Sequence, residues 1–298
     1  MIFIKKITYM LTKKIKIFLL GASGQLGKVI KKNLEQNSIF FVNSKKINLE
    51  SIIDINKKLL AFRPHVIINA AAYTNVDKAE MEKNKCNKIN NISCKYISDF
   101  CKKFNVYMIH FSTDYVYADG GGKKSELFKK KPLNFYGKSK LNGENQIIKS
   151  NINYTILRLS WLYGKGKNSF VTKILNQIKK FKNINIFSNE TGCPVSTELV
   201  SRLINKLLYL YLAKRTVIGI FNFTTTGSTN RLKMANEILK ESTKKNKKFL
   251  KIKITSSYLS NKVKRPKNSL LNISKIQKCV NFRIPNWKKD LHNFLRNN

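Results

Sequence analysis

Tyr136 and Lys140 stand four residues apart in the stretch NFYGKSKLNGE, residues 134–144. On a helix that spacing places both side chains on one face. A free phenol is too weakly acidic to hand over its proton efficiently near neutral pH. An ammonium group one turn away favours the phenolate and would lower the tyrosine pKa. Such a pair could move a proton to or from a bound ligand. In a chain this rich in lysine, the same spacing also describes two unrelated side chains on a wet helix face. The neighbouring motifs have to separate the two readings.

Thr113 and Asp114 lie in HFSTDYVYADG, directly after the apolar run Tyr107–Phe111. A hydroxyl and a carboxylate at the carboxyl end of a strand sit at the edge of the sheet where ligands bind. A Thr-Asp pair also serves as a simple turn or helix cap. Near the start, KIKIFLLGASGQLGKVI places Gly21, Gly24 and Gly27 between an apolar run and a helical pattern. Strand, glycines and helix in this order bind dinucleotides. Gly21 permits the tight turn, Gly24 lets backbone approach a pyrophosphate, and Gly27 lets the helix pack closely. The next apolar run is followed by Asn43, Ser44, Lys45 and Lys46, with no acidic residue to hold a ribose 2′-hydroxyl. Cations suit a 2′-phosphate, which favours NADPH over NADH, although NADH is possible.

These residues need elements to position them. Strand-length apolar runs occur at 15–20, 39–42, 66–69, 107–111 and 155–159, with helical patterns around 26–36, 49–62, 79–104 and 134–149. This alternation predicts an α/β fold, a Rossmann-type doubly wound parallel sheet covered by helices on both faces. Helices are expected further on at 169–181, 196–213, 232–243 and 287–295, strands at 184–187, 218–224 and 251–255, and a loop at 256–272. The expected organisation is an N-terminal extension over 1–13, a nucleotide-binding domain over 14–165, and a smaller C-terminal α/β substrate-binding region over 166–298, partly interleaved with the first.

The 298 residues include 58 Lys and Arg against 16 Asp and Glu, a net charge of +42. The lysines are spread along the chain, and Lys, Asn and Ile all have A/T-rich codons. The charge therefore reads as coding bias, and no specific nucleic acid is expected as a partner. Five cysteines without a CxxC and three scattered histidines indicate neither a disulfide framework nor a metal centre. No apolar run is long enough to span a membrane, and lysines interrupt the N-terminal stretch. A cytoplasmic protein without membrane association is expected.

The ordered motifs NAAAYTNVDKAE (69–80), HFSTDYVYADG (110–120), YGKSKLNGE (136–144), LRLSWLYG (157–164), GCPVSTELV (192–200) and KRPKNSLL (264–271) complete a series that begins with the glycines. Together they resemble the dTDP-4-dehydrorhamnose reductase family of extended short-chain dehydrogenase/reductases, from about residue 15 to the C-terminus. The resemblance implies NADPH-dependent reduction of the C4 keto group of a dTDP-4-dehydro-6-deoxy sugar, giving dTDP-L-rhamnose. Tyr136 would be the general acid, Lys140 its partner and a ligand of the nicotinamide ribose, and Thr113 and Asp114 would complete the catalytic group. Two alternatives are a reductase of another nucleotide-linked 4-keto sugar and a non-catalytic regulatory subunit of the same fold.

Further residues are implied by the resemblance alone. Gly21, Ser23, Gly24, Gln25, Leu26 and Gly27 would hold the cofactor diphosphate. Asn43 and Lys45 would flank its ribose, and Asn48 and Leu49 its adenine, Asn48 standing where the family usually has an acid. Ala70, Ala71, Ala72, Tyr73, Thr74 and Phe111 would line the rest of it. Thr74, Val76, Thr113, Asp114, Trp161 and Arg265 would meet the substrate, Arg265 at its diphosphate. Asn230-Arg231 replaces a usual Ser/Thr-Trp, and Lys138 replaces a common acidic residue. Some members dimerise through a magnesium ion held by glutamates. One such position is Val29 here, so no metal is expected, and the protein should be a monomer or a weak homodimer.

Overall fold

Strands that are apolar on both sides can be hidden only by helices stacked on each face of their sheet. The computed structural model of the protein describes residues 14–166, 169–180, 183–187, 189–257 and 263–297. The predicted extension at 1–13 lies outside the described residues. Strands β1 (Ile15–Leu20), β2 (Phe40–Asn43), β3 (Val66–Asn69), β4 (Tyr107–Thr113) and β5 (Tyr154–Leu159) alternate with helices α1 (Gln25–Glu35), α2 (Ile52–Phe62), α3 (Ser93–Phe104) and α4 (Phe135–Lys149).

Successive residues of β1 serve opposite faces of the sheet. Ile17 and Leu19 pack with Leu26, Ile30 and Leu34 of α1. Phe18 and Leu20 pack with Ile55 and Leu59 of α2 and Ile97 of α3. Beyond β5 the chain forms α5 (Phe170–Lys179), β6 (Ile184–Phe187), α6 (Thr197–Leu212) and β7 (Gly219–Phe223), then α7 (Arg231–Lys245), β8 (Ile254–Ser257), α8 (Ser274–Val280) and α9 (Trp287–Arg296). The strand expected at 218–224 is β7, and it pairs in parallel with β5. The main sheet thus has six strands in the order β7-β5-β4-β3-β1-β2. Leu199, Leu203 and Leu207 of α6 cover the same face as α1. A second core joins Val171 and Ile174 of α5 to Ile238 of α7 and Leu291 of α9.

The strand order reverses direction at β1, between β2 and β3. In open α/β sheets the carboxyl ends at such a switch point form the ligand crevice. Leu20 at the end of β1 is in register with Asn69 at the end of β3. This brings the glycine turn against Ala70 and Ala71.

Three expectations need correction. The helix expected over 79–104 is broken into Val76–Ala79, Lys83–Asn87, a π-turn at Lys88–Ile92, and α3. The π-turn presents Asn90, whose amide bonds both the N–H of Tyr73 (2.9 Å) and its carbonyl (3.1 Å), and also Ser139 Oγ of α4 (2.9 Å). One side chain bridging three elements explains the register change. The loop expected at 256–272 contains a short strand at Asn268–Ser269, paired with Thr191–Gly192, while residues 258–262 are outside the described set. The expected strand at 251–255 starts later, at Ile254, beside β6.

Candidate active site

Helix α4 carries the Tyr-Lys pair, and its start is fastened from several sides. Asn134 caps it by accepting from Gly137 N–H at 2.9 Å and donates to the Lys264 carbonyl at 2.9 Å. Glu80 accepts from Phe135 N–H at 2.7 Å. The first turn lies so close to the segment after β4 that a Cβ on Gly137 would come within 2.4 Å of the Tyr115 carbonyl oxygen. Any larger residue there would push Tyr136 away from Thr113.

The result is a compact polar group. The Thr113 hydroxyl donates to Asp114 Oδ1 at 3.0 Å, accepts from Tyr115 N–H at 3.3 Å, and is close enough to the Tyr136 phenol to act on it. The Tyr115 ring meets the Tyr136 ring edge to face at 5.8 Å. Lys140 is buried, and its Nζ donates to the Phe111 carbonyl at 2.7 Å and lies 3.2 Å from His110 Nε2. Asn69 Oδ1 accepts from Ala71 N–H, which leaves Asn69 Nδ2 to donate to His110 Nδ1. The proton of the neutral ring then sits on Nε2 and faces Lys140. That contact disfavours the ammonium form, the same direction in which burial shifts Lys140.

The expectation that Lys140 lowers the Tyr136 pKa is therefore corrected. Burial and then the Asp114 carboxylate hold the phenol above its usual range, against the smaller effect of Thr113. Burial also pushes Asp114 up to about 6, opposed by Ser269 and Thr113. A phenol that stays protonated is the form that can deliver a proton to a developing alkoxide.

These residues line a cavity of about 660 Å³, within the usual size for small-ligand clefts. Thr113, Asp114, Tyr136, Lys140 and Trp161 lie in it together with Gly21, Ser23, Gly24, Gln25, Leu26, Leu49 and Ala70–Ala72. Thr74, Val76 and Phe111 also line it. At the glycine end, Gly21 has φ +78°, and a Cβ there would come within 2.5 Å of Ala71 N. Gly24 is the N-cap of α1, and neither a side-chain cap nor an acidic residue occupies the first turn. Open N–H groups at a helix start favour an anion. This cradle fits the diphosphate of a dinucleotide.

The family described as "RmlD substrate binding domain" matches residues 15–298. The dTDP-4-dehydrorhamnose reductase of Aggregatibacter actinomycetemcomitans is 31% identical over 291 residues, 93% of this chain and 97% of that protein. The Salmonella typhimurium enzyme of the same name is 30% identical over 285 residues, 91% of this chain and 94% of that one. The crystal structure of the Bacillus anthracis dTDP-4-dehydrorhamnose reductase in complex with NADP superposes with a TM-score of 0.87 at 27% identity, covering 96% of this chain and 99% of that one.

The chain belongs to the dTDP-4-dehydrorhamnose reductase family.

Not every residue expected from the family pattern reaches the main cavity of this reductase-family chain. Asn43 and Lys45 line a neighbouring hollow with Phe41, Ser44 and Phe62. Asn48 is exposed, accepts from Glu50 N–H at 3.0 Å, and donates its own N–H to Asp54 at 2.6 Å. Tyr73 lines a separate shallow hollow beside Glu82. Gly27 packs on the turn, where a Cβ would sit 2.1 Å from the Gly21 carbonyl oxygen. Arg265 lies outside the lining and is held by Asp77 through two contacts of 3.0 and 2.9 Å.

Asn90 and Tyr115 were missed from sequence, and Arg231 was noted there only as a departure from the family pattern. Asn90 is silent there because its role depends on the π-turn. Tyr115 directly follows Thr113-Asp114, so proximity could have flagged it. The Arg231 guanidinium stacks 3.9 Å from the centroid of the Trp161 ring. Among the described residues, Glu237, Glu241 and His292 form the one group whose ligand-type atoms lie within 4.8 Å of one another. It sits on α7 and α9, outside the cavity lining, and Lys244 and Lys288 ion-pair with its glutamates.

Proposed function

We propose that this protein reduces the C4 keto group of dTDP-4-dehydro-6-deoxy-L-mannose to give dTDP-L-rhamnose, with NADPH as the reductant. The observation that carries the reading is one cavity holding Thr113, Tyr136 and Lys140 at one end and the glycine cradle at the other. The family membership and the NADP complex of the Bacillus anthracis relative support it.

A bound reduced nicotinamide supplies the hydride. The Tyr136 phenol donates its proton to the C4 oxygen as charge develops there. The Thr113 hydroxyl orients that oxygen, and Lys140 anchors the adjacent ribose and restores positive charge beside the phenolate. Asp114 bonds hydroxyls of the sugar. Asn43 and Lys45 flank the adenosine ribose, and Lys45 supplies a cation for its 2′-phosphate. Arg265 meets the substrate diphosphate, for which a guanidinium is suited. The dTDP-sugar is a small-molecule partner, and the reaction belongs to the cytoplasm.

The test is the loss of NADPH absorbance with freshly prepared dTDP-4-dehydro-6-deoxy-L-mannose, with the product identified by mass and NMR. Oxidation yielding dTDP-L-rhamnose is expected. Folded protein that binds NADPH yet leaves this sugar unreduced would overturn the reading.

A further inference from the structure

Arg231 opens α7, and the placement of its side chain is built rather than incidental. The preceding residues Thr229 and Asn230 pair antiparallel with Gly192 and Thr191. Asn230 caps the helix by accepting from Lys233 N–H at 2.8 Å. The Arg231 guanidinium lies 3.9 Å from the Trp161 ring centroid and 4.9 Å from that of Phe170. Trp161 in turn is buried with φ +46°, a left-handed conformation that is costly for a tryptophan. A Cβ on Gly192 would come within 2.5 Å of its ring. A strained, tightly seated tryptophan therefore forms the platform for the guanidinium.

The carboxylates whose charges reach the guanidinium are Glu190 and Asp114. Among the described residues, no carboxylate lies within 4.0 Å of it and no side-chain hydrogen bond engages it. It nevertheless lines the cavity that holds Asp114 and Tyr136. A guanidinium that lines a cavity can donate to a ligand acceptor there. Arg265 is paired with Asp77 through Nη2, while its buried Nε has no partner. The two cations are close enough for each to act on the other, and both act on Tyr115. Two guanidiniums near one another, one of them in the cavity lining, fit a phosphate-bearing group.

We propose that Arg231 is a substrate-anchoring residue. Stacked on Trp161, it donates to the phosphate nearest the sugar of a nucleoside-diphosphate sugar, with Arg265 on the same diphosphate. Trp161 acts as a positioning residue for Arg231, since the guanidinium covers one face of its ring. This inference rests on the nucleotide-sugar reading given above.

Calorimetric titration of dTDP and, separately, NADPH into wild type, R231A and R231K tests it. Losing charge-assisted hydrogen bonds should weaken dTDP binding in R231A by roughly tenfold to a hundredfold. R231K, which keeps the charge but loses the stacked planar fork, should fall between. NADPH affinity should stay at the wild-type value in both. Wild-type dTDP affinity in the folded variants would overturn the anchoring role while leaving the substrate reading intact. A wild-type protein that binds NADPH but no dTDP would overturn both. R231K alone decides the matter if R231A does not fold.

Discussion

Arg158 Nη2 lies 2.5 Å from Glu144 Oε2, and both side chains are out of water. Glu144 stands in α4, one turn beyond Lys140, and Arg158 stands in β5. The pair therefore ties α4 to the sheet. Ser112 donates to the same carboxylate, and the Tyr117 hydroxyl accepts from Arg158 at 2.8 Å. Removing one partner strands the other charge in a low-dielectric interior. E144Q or R158M should each cost about 3–5 kcal/mol. The double variant should cost less than the sum of the two. Chemical denaturation of all three proteins measures the coupling.

Tyr136→Phe removes the proposed proton donor and leaves the cavity shape nearly unchanged. Turnover should fall by about 10²–10⁴, the usual range for a general acid, with NADPH affinity preserved. Steady-state rates and a cofactor titration on the same preparation check both halves. Unchanged turnover would remove Tyr136 from the chemistry.

Lys140→Met should lower both the rate and cofactor affinity, because the same ammonium is proposed to serve the ribose and the phenolate. Its bond to the Phe111 carbonyl at 2.7 Å would also be lost. A variant with a reduced rate but wild-type NADPH affinity would confine Lys140 to the proton-transfer step.

Asp114 gives a pH signature. Its folded-state pKa is raised from 3.8 to about 6 by burial. A raised carboxyl pKa contributes stability that is fully present below the unfolded value and is lost as pH rises through about 6. At pH ~7–8 the ionised, buried carboxylate should destabilise the fold by up to about 3 kcal/mol. Asp114→Asn should therefore raise stability near neutral pH and match wild type below pH ~4. Melting curves across this range test it, and a constant difference at all pH values would exclude titration of Asp114 as the cause.

Lys45 offers a test of cofactor choice. Lys45→Glu places a negative charge beside the proposed 2′-phosphate position and should move the ratio of kcat/KM values for NADPH over NADH by roughly tenfold or more toward NADH. An unchanged ratio would place 2′-phosphate recognition elsewhere.

The alternation of apolar runs with amphipathic helices was enough to define the doubly wound sheet, because strand burial and helix patterning are local properties of the chain. The glycine turn, Thr113-Asp114 and Tyr136-x-x-x-Lys140 were legible for a related reason. Each is a short motif whose members stay adjacent once the local element forms. What sequence could not supply was distance between segments remote along the chain. The union of Tyr136 with Thr113 depends on the close approach at Gly137, and the Asn90 bridge depends on a π-turn. Sequence also pointed to a lowered Tyr136 pKa, from one lysine at helical spacing. The fold decided otherwise, because burial and Asp114 outweigh a lysine that is turned toward Phe111 and His110. The stacking of Arg231 on Trp161 joins residues seventy positions apart through the Gly192 strand pairing. Charge, burial and orientation at such a site are sums over many distant neighbours, and only the packed chain brings those neighbours together.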